Sequence, residues 1–184
     1  MKTIRFVRDE HEQKQVLETL KQERCAHCRR TGTLNRHDHV QRNDLDRADK
    51  QTVRGQRVWC SNRGQRGGCG RTMLIVFARF LPRHSFSATM LGRLLKQLCL
   101  GGSIKRASER CRLPVDLQSV YHLLQRFRER LDAIRAALFS RCTPPESMQT
   151  DPLRSTAEHL HCAFPSAGCA VEAFQHAFQT PIMG

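Results

Sequence analysis

The sequence has few acidic side chains and no long apolar stretch. Its 184 residues contain 17 aspartates and glutamates against 31 lysines and arginines, which gives a formal net charge of +14. Because a surplus of this size attracts polyanions, we expect a nucleic-acid partner. No apolar run is long enough to span a bilayer, and residues 1–10 lack the apolar core of a signal peptide. The sequence therefore predicts a cytoplasmic protein without a membrane partner.

The sequence also lacks a recognisable catalytic constellation. It has no glycine-rich loop for cradling a phosphate, because the glycines at residues 67–70 surround a cysteine. A small acidic cluster, Asp44, Asp46 and Asp49, leaves open a nuclease or recombinase subunit that uses two metal ions. Three acids on a charged loop more often face water. We therefore expect no catalytic residues and no enzymatic activity.

Four of the nine cysteines form two spaced pairs. Two residues separate Cys25 from Cys28, and eight separate Cys60 from Cys69. Four thiolates in two clusters can close a tetrahedron around one Zn²⁺, and a filled tetrahedron is a structural site. We predict a zinc ribbon with one structural zinc ion; a redox pair or scattered buried thiols are the alternatives. The histidines that could replace a cysteine ligand are His27, His37 and His39.

Helical patterns follow the cysteine region. Apolar spacing predicts a helix from Ala88 to Leu100, and a second from Ile104 to Arg110. A third helix is predicted from Leu117, capped by Asp116, and its apolar stripe continues to Leu138. The last two helices and their tight turn indicate a helix-turn-helix, with an ordinary helical hairpin as the alternative. The predicted fold class is therefore small α+β: an N-terminal zinc ribbon of short antiparallel strands, then an all-α helix-turn-helix bundle with a long third helix.

A helix-turn-helix places the start of its last helix in the major groove, which predicts two sets of nucleic-acid contacts. The predicted base contacts are Gln118, Ser119 and His122. The predicted phosphate contacts are Arg57, Arg63, Arg66, Arg71, Lys105, Arg106, Arg112 and Arg126. The expected partner is double-stranded DNA, and RNA stays open because the charge argument applies to both.

Charge and composition divide the chain into four predicted segments: a lead-in helix in residues 1–20, the zinc ribbon in 21–83, the helix-turn-helix in 84–142, and a tail of unknown role in 143–184. The net charge is +10 in the second segment, +7 in the third and −3 in the tail. Heptad-like spacing leaves residues 131–139 as a possible seam for a homodimer. The role of the tail stays open, and a transposase or another effector is a candidate partner for it.

Taken together, the C-x2-C pair, the Cys-Ser-Asn…Gly-Cys-Gly-Arg-Thr segment at residues 60–72 and the helix-turn-helix resemble the N-terminal DNA-binding region of bacterial insertion-sequence transposases, or their small regulatory proteins. The resemblance covers roughly residues 25–130. It implies zinc ligation by the four paired cysteines and binding to transposon ends or to the element's own promoter. The eight-residue spacing in the second pair departs from the family's two.

We therefore expect a sequence-specific DNA-binding accessory or regulatory protein of a transposable element, associated with the bacterial nucleoid. The alternative is a protein-interaction or RNA-associated adaptor of a larger nucleic-acid complex, in which the ribbon and the tail bind the partner. Substitution of Gln118 and His122 would weaken binding only in the first case.

Overall fold

The computed structural model describes residues 3–45, 47–63, 67–146 and 150–183, with the backbone alone at residue 44 and residues 47–50. In this part of the chain the fold is α+β, with a four-stranded sheet and seven helices. The chain divides into two compact units, Met1–Phe80 and Leu81–Gly184. The sheet belongs to the first unit, so the predicted lead-in segment and ribbon fold together. The second unit combines the predicted helix-turn-helix segment with the tail.

The first unit contains a sheet with strand order β1-β4-β3-β2 and one helix. The elements are β1 (Thr3–Val7), α1 (Glu10–Glu18), β2 (Leu34–Asp44), β3 (Arg47–Cys60) and β4 (Thr72–Phe77). β2 and β4 each pair antiparallel to β3, whereas β1 pairs parallel to β4. The sequence analysis missed β1. It also predicted only short antiparallel strands, whereas the sheet is mixed and two of its strands, β2 and β3, are long.

The predicted lead-in helix is α1, and it packs against the sheet. Asp9 caps its first turn by accepting the Glu12 backbone N–H at 2.8 Å. Val16 and Leu20 are buried in the apolar core of the unit. Because the helix has one narrow apolar stripe, it is held by packing rather than by its own propensity. This packing places the chain just before Cys25 against the sheet.

β2 and β3 form a two-stranded ribbon that extends beyond the other strands. β4 pairs with β3 only at residues 55–59, so residues 47–54 pair with β2 alone. The charged loop predicted for Asp44, Asp46 and Asp49 is therefore wrong, because β2 continues to Asp44 and β3 starts at Arg47. A register shift at Arg54 turns that side chain inward, where its guanidinium lies 4.9 Å from the Phe80 ring.

The second unit is entirely helical in the described residues. Its helices are α2 (Ala88–Cys99), α3 (Ile104–Cys111), α4 (Leu117–Arg128), α5 (Leu131–Phe139), α6 (Pro152–Ala163) and α7 (Ala170–Phe178). Side-chain caps explain three of the helix starts: Ser87, Ser103 and Asp116 each accept a backbone N–H from the first turn. The predicted bounds of α2 and α3 agree with the structure to within one residue at each end.

The prediction of one long third helix is wrong, because the structure has two helices, α4 and α5, in its place. Arg130 donates its backbone N–H to Phe127, three residues back, which ends the regular hydrogen-bond ladder of α4. The chain then starts again as α5, which packs against α6. Because α6 lies far along the sequence, the local apolar stripe alone gives no signal for this break.

The tail folds into the helical unit. α6 packs on α2 and α5, and α7 packs on α2 and α6. Ile134 and Leu138 in the predicted dimer seam are buried by this packing, at 1% and 0% exposure. These two side chains are therefore not available to a second chain. A homodimer through other side chains of residues 131–139 stays a prediction.

Gly55 permits the close approach of β3 to β4 beside the bulge. A Cβ atom at residue 55 would lie 2.0 Å from the Ile75 carbonyl oxygen and 2.8 Å from Val76 Cα. Because both obstacles are backbone atoms, we expect Gly55→Ala to lower the free energy of unfolding by about 2 kcal/mol. Chemical denaturation measures this loss. Gly168→Ala is the matched control, since its new Cβ would meet nothing within 4 Å; equal stability of both variants would contradict the clash.

Candidate metal centre and nucleic-acid interface

The structure brings together the four cysteines that the sequence pairs. The sulfur atoms of Cys25, Cys28, Cys60 and Cys69 all lie within 4.8 Å of one another. The Cys25 and Cys69 sulfurs are 3.7 Å apart, as are those of Cys28 and Cys60. A tetrahedron with metal–sulfur bonds of about 2.3 Å has sulfur–sulfur edges of about 3.8 Å. The cluster is therefore compatible with a zinc site, whereas these separations are too long for disulfides.

The two cysteine pairs form turns with the same backbone hydrogen bonds. In the first turn, Arg29 N–H donates to the Cys25 carbonyl at 2.8 Å, and Cys25 N–H donates to the Arg30 carbonyl at 2.9 Å. In the second, Gly70 N–H donates to the Cys60 carbonyl at 2.9 Å. Cys60 N–H in turn donates to the Arg71 carbonyl, also at 2.9 Å. Arg29 is thus the structural equivalent of Gly70, and Arg30 of Arg71.

This equivalence explains the wide spacing of the second pair. Gly68 N–H donates to the Ser61 carbonyl at 2.9 Å, which closes the base of the loop between them. Without residues 62–67 the second pair would be Cys60-Ser61-Gly68-Cys69, the same C-x2-C spacing as the first. The eight-residue gap is therefore an ordinary turn with a six-residue insert. We name residues 62–67 the knuckle insert.

Burial and backbone hydrogen bonds shift the pKa values of Cys25 and Cys28 in opposite directions. Cys25 and Cys60 are buried, and both belong to the apolar core of the sheet unit. Their sulfurs accept hydrogen bonds from the His27 and Cys69 backbone N–H groups, at 3.4 and 3.3 Å. Burial raises the pKa of Cys25 to about 12. A hydrogen bond from the Arg30 backbone lowers the pKa of Cys28 to about 7. Cys28 therefore ionises more readily than Cys25.

No histidine joins the thiol cluster among the described residues. The predicted alternatives His37 and His39 lie on the exposed ribbon, where His37 Nδ1 is 2.6 Å from an Asp38 carboxylate oxygen. Of the acidic cluster, Asp46 and the side chains of Asp44 and Asp49 lie outside the described residues. The described residues therefore add no ligand to the four cysteines.

α3 and α4 pack on each other across the five-residue turn 112–116. Ala107, Cys111 and Val120 are buried in this pair of helices. Arg112 takes the left-handed conformation in the turn, with φ 50°. The buried side of α4 thus holds the pair together and leaves the opposite side in solvent.

The predicted base contacts differ in exposure. Gln118 and His122 are exposed on α4. Ser119 is half-buried, and its hydroxyl donates to Asp116 at 2.9 Å, so it completes the helix cap. Tyr121 is 47% exposed on the same helix and was missed by the sequence analysis. Its position beside Gln118 and His122 in the helical period was the available signal.

The predicted phosphate contacts also divide into two groups. Arg57 is half-buried and donates to Asp38 at 2.7 Å, which occupies its guanidinium. Arg63 lies 5.4 Å above the Trp59 ring on the knuckle insert, and Arg66 lies outside the described residues. The side chains that are simply exposed are Arg71, Lys105, Arg106, Arg112 and Arg126.

Two arginines of the first turn were also missed. Arg29 and Arg30 are both exposed beside the thiol cluster. Arg30 donates to the Gly67 carbonyl and so joins the first turn to the knuckle insert. Their place directly after Cys28 was visible in the sequence, but their equivalence to Gly70 and Arg71 requires the hydrogen-bond pattern.

The chain matches no family model, no curated protein and no solved structure. The resemblance to insertion-sequence transposases is therefore supported by sequence motifs alone. No described helix is long and apolar enough to cross a membrane. The site must be interpreted from its own geometry.

Replacement of a buried thiol tests the metal centre. We expect Cys25→Ser to abolish stoichiometric metal binding and to unfold the sheet unit, because ligation energy in such sites is folding energy. Elemental analysis and circular dichroism measure the two effects. Cys162→Ser is the control, since Cys162 is exposed and outside the cluster. Protons compete for the same thiols, so metal affinity should fall as pH is lowered, and most steeply below about pH 7, where Cys28 is protonated as well as Cys25. Full metal content in Cys25→Ser would contradict the site.

Deletion of residues 62–67 tests the equivalence of the two turns. The Ser61–Gly68 hydrogen bond already holds the loop ends together, so their direct linkage should preserve the thiol geometry. We expect the deletion variant to retain one metal ion per chain. The measurement is a metal titration with a chromophoric chelator as competitor. Deletion of Ser61 as well would leave one residue between the cysteines, and this control should lose the metal. Loss in both variants would show that the insert itself builds the site.

Proposed function

We propose that the chain is a zinc-held DNA-binding protein in which α4 reads duplex sequence. The observation that carries the proposal is the chemistry of the two sides of α4. Val120, Leu124 and Phe127 are fully buried. The opposite side exposes only polar, aromatic and basic groups: Gln118, Tyr121, His122, Gln125, Arg126 and Arg128. The segment Leu117–Arg128 contains no acidic residue, which favours a polyanionic partner.

The way α4 starts also fits a groove-reading helix. Asp116 accepts the Ser119 backbone N–H at 2.7 Å and fixes the first turn. Gln118 and His122 follow one helical turn apart, so their side chains project from one side. The major groove is about 12 Å wide and admits one α-helix. A helix entering by its N-terminal end would bring these two side chains to the base edges.

The exposed side chains match the chemistry of base edges. A glutamine can make two hydrogen bonds to adenine, and a good bidentate pair discriminates by about 1–3 kcal/mol. Gln118 is therefore the strongest candidate for an adenine contact. The Tyr121 ring offers an apolar surface for a thymine methyl group. His122 supplies one further ring nitrogen for a guanine or adenine acceptor.

Exposed cations supply the part of the affinity that does not depend on sequence. Lys105 and Arg106 lie in the first turn of α3, and Arg126 lies in the last turn of α4. Arg63 lies between the two cysteines of the second pair, and Arg71 follows them. Each phosphate that a protein neutralises releases a counterion, so affinity should fall as salt concentration rises. Arg57 contributes less, because Asp38 already pairs with it.

Zinc is the metal we propose for the cysteine cluster. Four thiolates fill a tetrahedron and leave no open position, which is typical of structural rather than catalytic zinc. Iron also accepts four thiolates, so elemental analysis decides between the metals. The role of the ion is to fix the two turns and the arginines that they carry.

The biological role that we propose is accessory or regulatory control of a transposable element, on the strength of the motif resemblance. A transposase is then a candidate partner for exposed surfaces of the tail. Removal of the tail would not test the adaptor alternative, because α6 and α7 contribute to the core of the helical unit. Truncation would unfold the unit in either case, so surface substitutions are the informative variants.

Selection of duplexes from a random pool, followed by affinity measurements, tests the function. We expect a selected sequence to bind more tightly than random duplex, and Gln118→Ala to reduce this preference by about 1–3 kcal/mol. His122→Ala should reduce it as well. Gln125→Ala is the matched control: it removes the same group from the same side of α4, two turns further from the N-terminus. It should change the preference less than Gln118→Ala.

Two outcomes would contradict the proposal. Equal affinity for duplex DNA and single-stranded RNA, unaffected by Gln118→Ala, would favour the RNA-associated adaptor. Absence of salt-dependent binding to either nucleic acid would remove the nucleic-acid partner altogether. Both measurements use the metal-loaded full chain.

A further inference from the structure

In the described residues, most of the non-glycine residues that have a left-handed backbone conformation are arginines. Four such residues have φ between 50° and 67°: Arg29, Arg83, Arg112 and Gln179. A Cβ atom crowds the backbone in this region, so glycine and asparagine are favoured there. Three arginines at four such positions therefore need a reason beyond turn formation.

The metal centre shows what the turn itself requires. Gly70 has the same hydrogen bonds as Arg29 and a similar φ, 70° against 61°. The second turn therefore closes with glycine where the first carries a side chain. Arg29 is exposed, and in the described residues its guanidinium makes no hydrogen bond or ion pair. Within the described residues, the Arg29 side chain makes no contact that offsets its left-handed backbone conformation.

The turn between α3 and α4 repeats the pattern. Arg112 ends α3 at φ 50° and ψ 49°, the position where glycine is commonest after a helix. Its guanidinium is exposed and has no partner in the part of the chain that the structure describes. The same holds for Arg83, which closes a turn at φ 67° before α2. Each is therefore a free cation on a tight turn.

We propose that Arg29, Arg83 and Arg112 bind backbone phosphates of duplex DNA, and that the strain of their left-handed conformation is retained for this contact. The inference rests on the proposed function and extends its contacts to Arg29 and Arg83. A guanidinium makes paired hydrogen bonds to phosphate oxygens. A tight turn holds the first atoms of the side chain in a fixed direction away from the core. Strained backbone that local contacts do not explain is a feature of functional sites.

Replacement of each arginine by glycine tests the proposal. It removes the charge that would bind phosphate, which should lower DNA affinity. It also relieves the strain of the left-handed backbone, which should not lower stability. We expect Arg29→Gly, Arg83→Gly and Arg112→Gly each to leave the thermal midpoint unchanged or raise it by a few degrees. Each should also weaken binding to random duplex by roughly fivefold to tenfold at about 0.1 M salt. The slope of log affinity against log salt should become shallower by about 0.9 per substitution.

Two controls complete the design. Gln179→Gly relieves the same backbone strain without a charge, so it should affect the midpoint alone. Arg29→Lys keeps the charge and the strain, so it should preserve the salt slope. The measurements are fluorescence anisotropy with random-sequence duplex over a salt series, and scanning calorimetry of the metal-loaded chain.

The outcomes distinguish this inference from the proposed function. If the parent chain binds duplex with a steep salt slope and all three glycine variants keep that slope, the inference is wrong and the function stands. A marked loss of stability in the glycine variants would also overturn it, because the arginines would then support the fold. If the parent chain does not bind duplex, the proposed function fails, and this inference fails with it.

Discussion

The close approach of four cysteine sulfurs is the constraint that links distant parts of the sheet unit. The four sulfurs lie within 4.8 Å of one another, and two of them sit in the apolar core. Four ionised sulfurs at this distance repel strongly, and a divalent cation offsets that repulsion through bonds to all of them. Such a cation would fix chain positions that lie 32 and 44 residues apart in the close sulfur pairs. The same bonds would hold the C-terminal end of β3 and the segment after α1 together at the core of the sheet unit.

The helical unit is ordered by apolar packing among its own helices. α6 and α7 come from the acidic tail, and their apolar residues fill the space behind α2 and α5. The tail carries a net charge of −3, whereas residues 84–142 carry +7. Its packing therefore completes the core and leaves the basic groups of α3 and α4 in solvent.

Local signals were readable from the sequence, and contacts distant along the chain were not. Cysteine spacing located the metal centre, and serine or aspartate caps located the starts of α2, α3 and α4. β1 escaped because it pairs with β4 about seventy residues later. The continuation of β2 to Asp44 and of β3 back to Arg47 escaped because these strand ends show no apolar alternation in the sequence. The break between α4 and α5 contains no glycine or proline, so no local signal marks it. The left-handed Arg29 emerged only by comparing the two turns.

Electrostatics determines which measurement can reveal the function. A chain with a net charge of +14 should bind any duplex, so affinity alone carries little information about its target. A bidentate base contact discriminates by about 1–3 kcal/mol, whereas specific DNA-binding proteins typically reach about 4–10 kcal/mol. Gln118, the side chain proposed to make such a contact, therefore falls short of that range by itself. A second copy of α4 would double the discrimination. Because Ile134 and Leu138 are buried, a paired reader would have to assemble through other side chains, of which Phe139, 59% exposed on α5, is the largest apolar one there.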